Sequence, residues 1–117
     1  MTLQEVFDTA VGGVVGQGGP SWDGVRNCLY RGPNGRKCAA GWLISDDQVI
    51  EGNSIREIEH GWPEQVVELV QGLQCAHDSA TIAGTEEQFL KVFLEEANSL
   101  AREHGLKKWS NDTTRAV

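Results

Sequence analysis

TEEQFLKVFLEEANSLAREHG, running from Thr85 to Gly105, is the stretch on which the reading of the fold turns. Phe89, Leu90, Val92, Phe93, Leu94, Ala97, Leu100 and Ala101 recur at the three- and four-residue intervals of one helical face. Thr85 and Gln88 stand three apart, the spacing of a capping box. Glu87 and Lys91 stand four apart with the acid first, the favourable order on a helix surface. Gly105 supplies the stop, because only glycine enters the left-handed cap conformation without a Cβ penalty. A helix with so wide an apolar stripe needs a partner, and the remainder of the chain has to provide it.

Two further helices answer that need. Thr2 and Glu5 repeat the capping spacing, and Leu3, Val6, Phe7, Ala10, Val11, Val14 and Val15 form a stripe behind them. Gly12 and Gly13 interrupt it at about 1 kcal/mol each relative to Ala, which signals either close approach by another element or fraying. Gly16, Gly18, Gly19 and Pro20 then end the helix. Pro63 suits a first helical position, with Val66, Val67, Leu69, Val70, Leu73 and Ala76 as the inner face of the helix it opens. From His77 to Gly84 the pattern reads as a linker anchored by Ile82. Ser54 and Glu57 mark a shorter helix ending near Gly61.

Between the first two strong helices lies Gly32-Pro33-Asn34-Gly35, a reverse turn by its own chemistry. Read as a three-residue loop with Gly35 at the bulge, it pairs Arg31 with Gly35 and Cys28 with Cys38 in a small two-stranded β-hairpin over residues 28–38. Cys38 to Ile44 is a short apolar run that fits a buried strand or a helical turn, and Ala39 and Ala40 favour the turn. The fold class expected is therefore mainly α (α+β): a helical domain carrying a small hairpin.

With 117 residues the chain suits one globular domain over 1–117, with a polar, loosely ordered tail over 107–117. No basic segment followed by an apolar run opens it, and three cysteines are too few for a disulfide framework, so it reads as a reduced, cytoplasmic protein. The formal net charge of -7 argues against nonspecific duplex binding, which requires many cations to displace counterions. The charge is uneven, since Arg26, Arg31, Arg36 and Lys37 cluster, whereas Asp46 to Glu68 is rich in acids. Such runs are ordinarily solvated faces, and they also orient a charged partner.

Four chemical readings compete with a plain packed core. Cys28, Cys38, Cys75 and His77 offer four zinc ligands, but without the tight C-x₂₋₄-C spacing of structural sites. Cys38, behind Arg36 and Lys37, is the candidate nucleophile of a small thiol-dependent enzyme, with His60 or His77 as base and Asp78 to orient it. Tyr30 among Arg31, Arg36 and Lys37 makes a hairpin tip that is the one place for nucleic acid. Together with Trp22, Arg26 and Trp109, the same tip is the candidate face for a protein partner. The bland alternative is buried thiols as core filling and tryptophans that pin loops to the body.

The run from Cys28 to Ile44, with its CxYRGPxGxxCAxGxLI pattern, resembles a segment of small uncharacterised proteins from phages, prophages and bacteria. The likeness continues more loosely through the acid-rich stretch after Ile44, the Leu73 to Asp78 region and the closing helix as far as Leu106. Ser45 departs from the pattern, where members often carry proline. The resemblance brings no activity or cofactor with it. It implies an accessory protein, one that a phage directs against a host complex, or else a structural phage component. The function expected is thus a non-enzymatic interaction or regulatory role.

Overall fold

A computed structural model describes residues 2–20, 35–43, 62–81 and 84–109. Three helices, α1 (Leu3–Gln17), α2 (Glu64–Ala80) and α3 (Glu86–Glu103), enclose the core, and a 3-10 turn over Ala40–Leu43 packs between α1 and α2. No helix among the described residues is long and apolar enough to cross a membrane.

Each helix starts where its local chemistry dictates. At α1 the Thr2 hydroxyl accepts from the Glu5 amide at 3.1 Å, and the Glu5 carboxylate accepts from the Thr2 amide at 2.8 Å. Gly18, at φ 86°, closes it. Pro63 caps α2 from just outside the first turn. At α3 the Thr85 hydroxyl accepts from the Gln88 amide at 3.1 Å. At the far end Gly105 turns left-handed with φ 70°, and the Leu106 amide reaches back to the Ala101 carbonyl at 2.7 Å.

Phe7, Val11 and Val14 of α1, Leu69, Val70 and Leu73 of α2, and Phe93 of α3 are all completely buried together. Phe89 and Phe93, one turn apart, lie with their ring planes 5° apart and centroids at 5.8 Å. Helix α2 runs past the expected linker start to Ala80, because His77 and Ala80 continue the buried face set by Leu73 and Ala76. Gly72 admits Leu100, whose methyl would stand 2.9 Å from a Cβ there.

The paired glycines of α1 are close-approach sites. The benzo edge of Trp109 rests over Gly12, 3.0 Å from where a Cβ would stand, and a Cβ on Gly13 would clash with the pyrrole side of the Trp42 indole. Trp42 thereby fastens the 35–43 segment to one side of α1, and Trp109 fastens the 106–109 segment at the adjoining position. Gln17 completes the first attachment by taking the Lys37 amide at 2.8 Å and donating to its carbonyl at 2.6 Å.

Three expectations need correction or a limit. Among the described residues there is no strand, so the hairpin over 28–38 finds no support; residues 28–34 lie outside them, and 35–43 leads into the 3-10 turn. The helix expected between Ser54 and Gly61 also lies outside the described residues. Within the tail expected over 107–117, the Lys107 and Trp109 amides donate to Gln4 and Asn98 side chains at 2.8 Å each. Residues 110–117 fall outside the described range.

The glycines of α1 should separate cleanly in stability measurements. Gly13→Ala collides with the Trp42 ring and should cost about 1–3 kcal/mol of unfolding free energy, the usual penalty of overpacking. Gly16→Ala meets nothing within 4 Å and should add roughly 0.5–1 kcal/mol. Urea unfolding with an unchanged m-value checks both.

Candidate functional site

Cys38 stands just ahead of the 3-10 turn, wedged between α1 and α2 with no exposed surface. The Ala40 and Gly41 amides and the Gln74 side chain face its sulfur. Gln74 accepts from the Ala40 amide at 3.2 Å and donates to an Asp78 carboxylate oxygen at 2.9 Å. That same oxygen lies 2.9 Å from Nδ1 of His77. A carboxylate only accepts, so Nδ1 carries the proton of this bond. The imidazole is fully buried and meets Phe89 edge-on at 5.5 Å and 80°.

The tertiary fold thus brings Gln74 and Asp78 of α2 to Cys38, with His77 bonded to the Asp78 carboxylate. Their order is not that of a nucleophile and its base. Asp78 bonds His77 and also acts through space on Cys38, where its negative charge opposes thiolate formation. Burial is the larger influence, and the two together raise the Cys38 thiol from 9.0 to about 12 despite the facing amides. Sequence logic, with Arg36 and Lys37 next door, predicts the opposite shift. Burial wins because both cations turn outward: Arg36 pairs with Glu86, and the Lys37 ammonium sits 5.1 Å from the Trp42 ring centroid.

Cys75 is exposed, whereas His77, two residues on, is buried, so α2 directs the two to opposite sides. Among the described residues no three His, Cys, Asp or Glu side chains converge as metal ligands. Cys28, His60, Trp22, Arg26, Tyr30 and Arg31 lie outside the described residues, so the basic tip is represented by Arg36 and Lys37 alone. Trp109 is half-buried, its ring lying over Gly12 of α1.

The hollows of the surface add little chemistry. One of about 230 Å³ opens at the start of α3 between Pro20, Arg36, Thr81, Thr85 and Phe89. Its polar groups are engaged internally, since Thr81 donates to the Asp78 carbonyl, Thr85 caps α3 and Arg36 holds Glu86. Another, of about 170 Å³, is walled by Val6, Leu43, Trp62, Pro63 and Val66. A shallower groove of about 320 Å³ runs between α2 and α3 over Gly72, Cys75, Ala76, Ser79, Ser99 and Leu100, with Glu96 on its rim.

Sequence reasoning missed Gln4, Gln17, Gln74 and Asn98. Each side-chain amide pins the backbone of a segment outside its own helix. Nothing in the local pattern distinguishes such an amide from an ordinary solvated one.

In the folded protein at neutral pH, iodoacetamide should modify Cys75 and spare Cys38, which should react only on unfolding; peptide mapping by mass spectrometry decides. Because the folded state holds the Cys38 proton above the ordinary value of 9.0, the stability from its burial is complete below that pH. It should decline as pH rises toward about 12, and Cys38→Ala should flatten this loss in alkaline unfolding curves. A scan against protein-family models and searches of curated proteins and of solved structures each find no match to this chain.

Proposed function

We propose that this protein is a non-enzymatic interaction module whose acidic α2–α3 face receives a basic surface of a partner protein. The observation that carries this reading is the charge of that face. Glu96 lines the groove between the two helices; Glu64, Glu68, Glu87, Glu95 and Glu103 are exposed elsewhere on them, with Glu86 paired to Arg36 and Asp78 to His77, against Lys91 and Arg102. The groove between the helices has a floor of small and apolar groups, Gly72, Ala76 and Leu100, beneath Glu96. By helical periodicity Glu68 and Glu103 fall one turn along from Gly72 and Leu100, which extends the carboxylate rim. Such a surface accelerates encounter with a cationic partner and selects against anionic ones.

The state of Cys38 favours this over a thiol-dependent enzyme, since a nucleophile must be ionised and accessible. The resemblance of the Cys28 to Ile44 segment to phage and prophage proteins adds the finer reading: an accessory protein directed against a host complex.

Affinity capture from bacterial lysate, with intact-mass identification of what is retained, tests the proposal. A basic partner should be held at low ionic strength and released near 1 M salt, where the Debye length is about 3 Å. Glu68→Lys, Glu96→Lys and Glu103→Lys together should abolish capture without changing the helical circular dichroism. Retention undiminished by the triple variant, or recovery of the protein alone together with turnover of a small substrate, would sink the reading.

A further inference from the structure

Side-chain amides hold the 106–109 segment by its main chain, as Gln17 holds Lys37. Gln4 of α1 takes the Lys107 amide at 2.8 Å and donates to the Lys107 carbonyl at 3.2 Å. Asn98 of α3 does the same for Trp109, accepting at 2.8 Å and donating at 3.4 Å. Two side-chain amides thus grip the donor and acceptor of alternate residues, the pattern by which a strand edge holds an extended chain. These bonds read main chain and nothing else. The side chains of Lys107 and Lys108 stay exposed, Leu106 packs half-buried against the core, and the Trp109 ring sits in the notch above Gly12. At the hinge, Gly105 holds a left-handed conformation just past the end of α3.

We propose that the furrow between α1 and α3 is a peptide-binding site which residues 106–109 occupy in cis, and that its exchangeable ligand is an extended segment of another protein with a tryptophan in the place of Trp109. Recognition by backbone clamps plus one side-chain pocket is how strand-addition sites take peptides from outside. A covalently linked occupant competes at an effective concentration in the millimolar range, so the site is self-inhibited until a matching segment displaces the strap. The seat is formed by α1 and by the Asn98 side of α3, apart from the α2–α3 groove, and it stands whether or not that groove binds a basic partner.

The test uses the full chain and a fluorescein-labelled peptide, Gly-Leu-Lys-Lys-Trp-Ser-Asn, read by anisotropy. Trp109→Ala empties the notch and should bind this peptide at least about tenfold more tightly than the native chain does, by relief of the cis competition. Adding Gly12→Val, which fills the notch, should abolish that gain, and the peptide with Ala in place of Trp should not bind. A Trp109→Ala protein with native helical content that fails to bind, or that binds both peptides alike, overturns the proposal. Should that variant not fold, hydrogen exchange on the native chain decides. Lys107 and Trp109 amides should exchange by local opening, faster than those of Phe93 and Ala97, and exchange in step with these core amides would overturn it.

Discussion

Close approach at two adjacent glycines of α1 governs how everything else is arranged. Gly12 and Gly13 lower the intrinsic helicity of α1 by about 1 kcal/mol each relative to Ala. In return the helix surface is open where two indoles need it, with Trp109 over one glycine and Trp42 against the other. An indole buries on the order of 200 Å² of largely apolar surface, enough to outweigh the propensity lost. The two rings arrive from different parts of the chain. One brings the 35–43 segment, and with it Cys38, against α1 and α2; the other brings the segment that leaves α3.

Side-chain amides then do for the non-helical segments what ladders do in a sheet. A backbone group withdrawn from water must find a partner, and the 37–40 and 107–109 segments have few helical neighbours able to supply one. Gln17, Gln74, Gln4 and Asn98 provide these bonds from positions inside the helices. Gln17 and Gln4 lie near opposite ends of α1, so that helix is the frame to which both segments are tied.

This arrangement settles the character of the interior polar cluster. Cys38 is packed among apolar groups with a carboxylate nearby, and both influences favour the neutral thiol. His77 is clamped between Asp78 and the edge of Phe89. A chain of contacts from Cys38 through Gln74 and Asp78 to His77 therefore joins the segment ahead of the 3-10 turn to α2, and the charged groups that neighbour Cys38 in sequence are drawn outward to Glu86 and Trp42. Among the described residues, α2 and α3 present mainly carboxylates to solvent.

Much of the architecture was legible beforehand, and for a local reason. Capping pairs such as Thr2 with Glu5, apolar spacing such as Phe89, Phe93, Ala97 and Ala101, and the stop at Gly105 act within one or two turns, so the chain alone determined where helices begin, what they bury and where α3 ends. The cost of Gly12 and Gly13 was legible too, with its meaning left open between fraying and contact. Only the tertiary structure decided that meaning, because the indoles that fill the notches lie 29 and 97 positions away along the chain (42 − 13 and 109 − 12). It likewise decided that α2 continues through His77, that Cys38 is shielded and not activated, and which glutamines and asparagines hold backbone. Those outcomes depend on burial and on partners remote in sequence, and neither quantity is encoded in the spacing of neighbouring residues.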